Sequence, residues 1–584
     1  MTTASTAFSA AQGAALLPAA KWNDSATTFH LGINMAGAVS AGAYTAGVLD
    51  FLMEALEQWY AAKDQPGAAV PRHKLVIDVF SGASAGGMCA AISAVMVNSR
   101  FDHIHDPANP DVTNTSNKFY ESWVNKIDIE HLLDLSDIHP GQPIRSLLDS
   151  DIIDQIAEYA IQPPAFVSRP YISPSLNLFL SLTNIRGVPY SLDGSADGSA
   201  EQQIAYYADR LQFETVRDGN PLISKRAQPL PVGTAPVTGP AAWPLLKEAA
   251  KATGAFPIFL ASRKLDRDAL DYQFSPWRSI ASDPVEIIPD WRRDPSPAPF
   301  TTLNVDGGLT DNDPFQLAHD FLAVHNPSAA FDRATGELAN PRSSTDANCA
   351  VLTVAPFPAS CAFKEDYDFD KQGSVLGVLP NLFTALISQS RFFGESLTAV
   401  LGGNSYSRFV LAPTDAENPK VSALQCGILN AFGGFFERGF RAHDYQLGRR
   451  NCQKFLKDHF RLSIDNPIIQ SGLPDKADPH YQQLMQAHDP GASGTLPIIP
   501  LCGSAVPEAT QPARAKITNE RVDQIVSWAV KRMHAIGKPL IQQILGDGLG
   551  SRAVHGAVDL LIATEGKSKL EDYLRKQLDG LIEG

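Results

Sequence analysis

Within the first 100 residues a strand, a turn of small residues and a helix occur twice in succession, and few folds accommodate that order. The first unit is TTFHLGINM, AGAVSAG and AYTAGVLDFLMEALEQWYAAK. Phe29, Leu31, Ile33 and Met35 alternate as in a half-buried strand, and Tyr44, Val48, Phe51, Leu52, Leu56 and Trp59 recur at helical spacing. The second unit is KLVIDVF, SGASAGG and MCAAISAVMV. Two such units predict an α/β fold with a mostly parallel central sheet and covering helices. Active sites in such sheets gather at the carboxyl ends of the strands, where both small-residue turns fall.

The second turn carries Gly82, Ser84 and Gly86 in G-x-S-x-G spacing, the pattern of a nucleophile elbow that exposes a serine Oγ between strand and helix. A Gly/Ala-rich loop that lets a helix pack close to a sheet has the same composition. A nucleophilic serine needs a base for its proton and donors for the oxyanion it creates. Donors are available in Met35–Gly42, where backbone N–H groups lie between a strand and a helix N-terminus. A base is available where the short strand TTLNV ends in Asp306, followed by Gly307 and Gly308. Taken singly, these two stretches read equally as a close-packed connection and a polar D-G-G turn.

Composition narrows the function classes. Hydrophobic residues make up 44% of the 584 and charged residues 19%, as in a globular protein with a large core. A formal net charge of −15 argues against nucleic-acid binding and against broad adhesion to anionic membranes, but allows a local apolar contact. The six cysteines show no C-x-x-C spacing, so neither a metal site nor a disulfide scaffold is expected, and reduced thiols in a cytoplasm are the default. Residues 25–49 and 79–99 contain no Asp, Glu, Lys or Arg, but are too rich in Gly, Ala and Ser to read as transmembrane segments.

Further strands are expected at SLNLFLSLTNI and CAVLTVAPF, and helices over 381–401 and 433–460. Long connections at 192–202, 219–244, 265–300 and 325–347 suit lids or binding loops, with Trp277 and Trp291 as candidates for a lipid-facing rim. The stretch Arg441–Asn451 (RAHDYQLGRRN) reads as a helix surface laced with ion pairs, although a His/Asp catalytic pair or an anion site is also conceivable there. Gly546–Gly550 reads as a helix break. The expected organisation is a poorly ordered segment over 1–27, a catalytic core over 28–320, its continuation with added helices over 321–464, and a Pro/Gly-rich connection with a helical C-terminal region over 465–584.

Four motifs in order resemble the patatin-like phospholipase family: LGINMAGAVSAGAYTAGVLDFL its oxyanion loop, GASAG its elbow, KATGAFPIFLASRKL its Ala-Ser-x-Ala-x-Pro segment, and VDGGLTDNDPF its D-G-G followed by Asn and Pro. The resemblance covers residues 28 to about 320. A looser one, to a bacterial patatin-related subfamily, runs through SQSRFFGESL and FRAHDYQLGRRNCQKFL to about residue 460. It implies a three-layer patatin-like fold and a lipid acyl hydrolase without cofactor, with Ser84 as nucleophile, Asp306 as base, and the amides of Gly37, Ala38 and Val39 as oxyanion hole. Lipid would be met at a membrane or micelle surface. Val39 stands where a third glycine is usual, as in a Gly-Val-Ser version of the loop that the bacterial subfamily resembles, and Ala41 stands where Arg or Lys is usual; the positive charge missing at Ala41 weakens the case for a phosphorylated substrate. Two alternatives remain: a Ser-Asp-His hydrolase using His319 or His443, and a lipid-binding scaffold that has lost catalysis.

Overall fold

The computed structural model describes residues 21–583 apart from 108–114, 194–200, 218–226, 234–241, 274–275, 278–284, 287–288, 292–298, 333–336, 359–367, 375–377, 379–384, 386–389, 391–404, 416–421 and 546–565. Most of the helix expected at 381–401 and the Gly546–Gly550 cluster lie outside the described residues. Nine described strands form one sheet. In chain order they are β1 (Thr28–Met35), β2 (Lys74–Gly82), β3 (Ile172–Asp193), β4 (Glu201–Val216), β5 (Gln228–Pro231), β6 (Arg263–Arg267), β7 (Phe300–Asp306), β8 (Cys349–Val354) and β9 (Arg408–Leu411). Their order is β9-β8-β1-β2-β3-β4-β5, with β7 pairing both β3 and β6. From β9 to β3 all neighbours are parallel, while β7 runs antiparallel to β3 and brings its C-terminal Asp306 opposite Leu182.

The helices that cover this sheet and shape the site are α1 (Gly42–Lys63), α2 (Ala85–Met96), α3 (Asp151–Ala160), α4 (Trp243–Thr253), α5 (Phe315–His325) and α6 (Arg438–Asp458), followed near the C-terminus by α7 (Asn519–Leu545) and α8 (Lys567–Gln577). The strands sort their side chains between two layers of helix. Phe29, Leu31, Ile33, Met35, Leu352 and Val354 join the main core with α1, α2, α4 and α6. On the other face Val79, Cys349 and Val351 pack with Phe315, Ala318 and Leu322 of α5. The architecture is a three-layer α/β fold.

β1 departs from the half-buried strand that its alternation suggests: all eight residues are buried. The cause is α5, whose Ala318 and Leu322 close over Gly32 so tightly that a Cβ there would stand 3.3 Å from Leu322 Cδ1. The polar residues on that face are paired instead of solvated, His30 with Asp78 at 2.8 Å and Asn34 with Asp313.

Most residues of α6 are buried, including Arg441, His443, Asp444 and Arg449 of the charge-rich stretch, so its neighbour is protein rather than solvent. It crosses α1 backbone against backbone: a Cβ on Gly47 would lie 1.9 Å from Tyr445 O, and one on Gly448 2.2 Å from Tyr44 O. Arg449 then reaches Glu54 of α1 at 2.6 Å and also pairs with Asp50. After residue 465, Ile468, Ile469, Leu496, Ile498 and Ile499 pack into the core that holds the sheet. α7 and α8 contribute to a second cluster with Ile129, Leu132 and Phe440, pinned by Asp128, which binds both Arg441 and Arg521.

Candidate active site

Ser84 sits between β2 and α2 with φ 53° and ψ −130°. A non-glycine residue in that region is strained, as expected of a serine thrust out of a sharp strand-to-helix turn. Its neighbours are small because backbone fills the space. A Cβ on Gly86 would lie 2.0 Å from Met35 O, and one on Gly82 2.5 Å from Gly86 O.

Asp306 ends β7 across the sheet. Ser84 Oγ donates to Asp306 Oδ2 at 2.7 Å, and the Gly308 N–H donates to Asp306 Oδ1 at 2.7 Å. The backbone on either side of the carboxylate is fixed as well: Asp306 N–H donates to Ala255 O at 2.9 Å, and the Thr183 hydroxyl donates to Asp306 O at 2.8 Å. Gly307 allows β7 to run hard against β3, since a Cβ there would lie 2.0 Å from Ser181 O. Burial pushes the Asp306 pKa up from 3.8 to about 6, against the opposing pull of the hydrogen bonds from Ser84 and Gly308.

The turn after β1 lies against the elbow, close enough that a Cβ on Gly37 would be 3.1 Å from Ser84 Cβ. The three amides expected to act together are not equivalent. Gly37 N–H donates to Asn312 O at 3.1 Å, whereas those of Ala38 and Val39 have no partner among the described residues. Val39 adopts φ 47° and lines the same cavity as Ser84 and Asp306.

That cavity encloses about 900 Å³ of non-atom space, including its opening. Ser84, Asp306, Ser122 and Lys251 apart, its wall is aliphatic, aromatic or glycine. Lys251 is held by Asp154 at 2.7 Å and Glu248 at 2.6 Å, so it is not an unpaired cation. Much of the wall comes from segments outside the sequence motifs, namely α3, the π-turn Glu121–Lys126 and residues 432–435, joined by residues 256–260 of the KATGAFPIFLASRKL segment. α3 shows its apolar stripe in Ile153, Ile156, Ala157 and Ala160, but periodicity does not reveal that the stripe faces a cavity. Thr253 falls within the KATGAFPIFLASRKL segment, but the motif gives it no role; its hydroxyl accepts the Ser84 N–H at 2.9 Å.

The histidines proposed for a triad are elsewhere. His319 stacks on Phe315 and meets Asp320 at 3.3 Å, and His443 is buried against Asp444 at 2.7 Å. Neither lines the Ser84 cavity. Trp291, expected at a lipid-facing rim, packs instead on Phe300, 5.0 Å between ring centroids, beside Tyr190 and Tyr272. The Trp277 side chain lies outside the described residues. The exposed apolar residues beside the cavity are Ile258, 69% exposed, and Phe259, 36% exposed, which meets Phe432 at 5.3 Å.

A serine in a strained elbow, hydrogen-bonded to a buried carboxylate at a strand end and opening on an apolar cavity, is the kind of site found in serine hydrolases of α/β fold. Residues 34–319 match the patatin-like phospholipase family model. An uncharacterized protein of Sinorhizobium fredii, y4iI, is 30% identical over 94% of this chain and 81% of its own length. The chain belongs to the patatin-like phospholipase family, whose membership implies hydrolysis of lipid acyl esters. Among solved structures, VipD from Legionella pneumophila aligns over 95% of this chain and 91% of its own at 10% identity, with a TM-score of 0.20, a likeness too low to inform fold or activity. No described helix is long and apolar enough to cross a membrane.

Proposed function

We propose that the protein hydrolyses carboxylic esters of phospholipids or other glycerolipids through a dyad of Ser84 and Asp306. The observation that carries this reading is the 2.7 Å hydrogen bond from Ser84 Oγ to Asp306 Oδ2 beside a hydrocarbon-walled cavity. Asp306 takes the hydroxyl proton as Ser84 Oγ bonds to the acyl carbon, and the carbonyl oxygen becomes an oxyanion held by the amides of Ala38 and Val39. Collapse breaks the bond to the glycerol oxygen, which leaves with the proton from Asp306. Water then loses a proton to Asp306 and attacks the acyl-enzyme, releasing the fatty acid and restoring the Ser84 hydroxyl. No metal or organic cofactor enters these steps. The apolar cavity suits the acyl chain, and the exposed Ile258 and Phe259 suit transient contact with a membrane or micelle. The described cysteines are all free thiols, which fits a cytoplasmic setting.

A fluorophosphonate probe tests the nucleophile. Covalent labelling at Ser84 is expected, with none in Ser84→Ala. Labelling that persists in that variant, or its absence in a wild type active on a panel of phospholipids and p-nitrophenyl esters, would overturn the assignment.

The pH profile tests the base. Asp306 must be ionised to accept the proton, and its pKa is raised to about 6. With a soluble short-chain ester, kcat/KM is expected to rise about tenfold per pH unit on the acid side and to level off above the pKa of the free enzyme's base. A profile already flat from a pH of about 4.5 upward would contradict a buried, desolvated base.

A further inference from the structure

Backbone strain in this protein is concentrated around one cavity. Seven described non-glycine residues have positive φ; two of them line the Ser84 cavity and four more stand within three residues of a lining residue in the chain. Val39 and Ser84 line it, Ile258 precedes the lining residue Phe259, and Leu429, Asn430 and Ala431 run consecutively into the lining residue Phe432. Strain of this kind persists only where the surroundings over-determine it, and here the surroundings include one buried hydroxyl.

Ser40 is fully buried and follows Val39 directly. Its hydroxyl donates to the carbonyl of Ala431 and accepts the N–H of Gly434 at 3.1 Å. These two bonds join the strained turn after β1 to the strained turn at 429–435. The second turn carries Phe432 and Phe435, both in the cavity wall. Its far end is anchored by Arg441, whose Nη1 donates to Gly434 O at 2.7 Å and whose Nε donates to Val124 O at 3.0 Å. Phe432 therefore lies in the chain between Ala431, bonded by the Ser40 hydroxyl, and Gly434, held by both Ser40 and Arg441.

Resting on the dyad and oxyanion assignments, we propose that Ser40 is a positioning residue that couples acyl-chain contact at Phe432 and Phe435 to the geometry of the oxyanion loop. A chain long enough to seat against those rings holds the Ala431–Ser40 connection, and with it the Val39 amide, in the arrangement that receives the oxyanion. A chain too short to reach them leaves the loop unassisted. Turnover, and not binding alone, then depends on acyl length.

The test uses the full-length enzyme as wild type, Ser40→Ala, Phe432→Ala and the double variant, with p-nitrophenyl acetate and p-nitrophenyl octanoate below micellar concentrations. Ser40→Ala is expected to lower kcat for the octanoate by about tenfold, as a weakened oxyanion donor would, with KM nearly unchanged. The acetate should change by less than about twofold, because an uncoupled substrate gains nothing from the connection. Phe432→Ala is expected to lower kcat for the octanoate as well as raise KM, and the two substitutions should not multiply in the double variant. Equal losses on both esters would reduce Ser40 to a static support and overturn the coupling. So would multiplicative effects, or a Phe432→Ala variant that loses only KM; this last measurement decides the matter even if Ser40→Ala fails to fold. Fluorophosphonate labelling of Ser84 in each folded variant separates failure of the coupling from failure of the dyad.

Discussion

Asp306→Asn is expected to lower turnover by about 10²–10⁴-fold, the usual loss on removing a general base, with the fold intact. Asparagine matches the carboxylate in size and keeps an oxygen able to accept the Gly308 N–H, so the 2.7 Å contact that shapes the D-G-G turn can persist. What it loses is the capacity to take the Ser84 proton. Stability should move the other way. The folded pKa is raised from 3.8 to about 6, chiefly by burial, so ionising Asp306 costs more in the folded than in the unfolded chain. Its favourable contribution is complete below pH 3.8 and is lost as pH rises through about 6. At neutral pH the uncharged amide is spared that penalty, so the variant should melt no lower than wild type. Turnover of one soluble ester and a melting curve measure both effects. His319→Ala and His443→Ala, if folded, should come nowhere near the Asp306→Asn loss, since neither histidine lines the cavity. A folded histidine variant as inactive as Asp306→Asn would replace the dyad with a triad.

Arg449→Met is expected to cost about 3–5 kcal/mol of stability, the range for removing one partner of a buried ion pair. Arg449 pairs with Asp50 and Glu54, and both carboxylate side chains are fully buried between α1 and α6. Burial alone would raise the Asp50 pKa; the Arg449 charge, aided by His103, holds it down at about 2 instead. Asp50 therefore stabilises the fold above its unfolded pKa of 3.8, and that contribution fades as pH falls toward about 2. Without the guanidinium, two buried carboxylates would have to ionise against desolvation. The deficit relative to wild type should then be largest near a pH of about 7 and shrink on acidification toward about 5. Thermal melts at the two pH values check this, and a variant that melts with wild type at neutral pH would show that the network makes no net contribution.

The legible part of the site was local. Ser84, Gly82 and Gly86 could be read because a strained elbow with backbone 2.0 Å from where a Cβ would stand tolerates only small neighbours, and that requirement is written into five adjacent residues. Asp306 could be read because a carboxylate at a strand end whose backbone presses on Ser181 demands the glycine that follows it. The strand–turn–helix order similarly announced the parallel sheet, since hydrophobic periodicity and chain direction decide that much without distant contacts. The inequality among the amides proposed to receive the oxyanion was not legible. The sequence marks Val39 as the unusual residue of the turn but does not show that the Gly37 N–H is taken up by the approaching Asn312 carbonyl.

A mostly parallel α/β sheet, the elbow around Ser84 and a carboxylate at the strand end of Asp306 are readable from residue order alone, because each follows from periodicity or from steric limits within a few residues. Only the tertiary structure decided what surrounds them. The apolar cavity beside Ser84 draws its wall from segments as far apart in the chain as Val39 and Phe435, and their apolar stripes do not say whether they meet one another or empty space. The RAHDYQLGRRN stretch is polar in composition yet buried, because the groups that neutralise Arg449 lie on a helix near the start of the chain. Burial and pairing are properties of three-dimensional neighbours, and the same polar residue is tolerable or ruinous in a core according to a partner that local sequence does not contain.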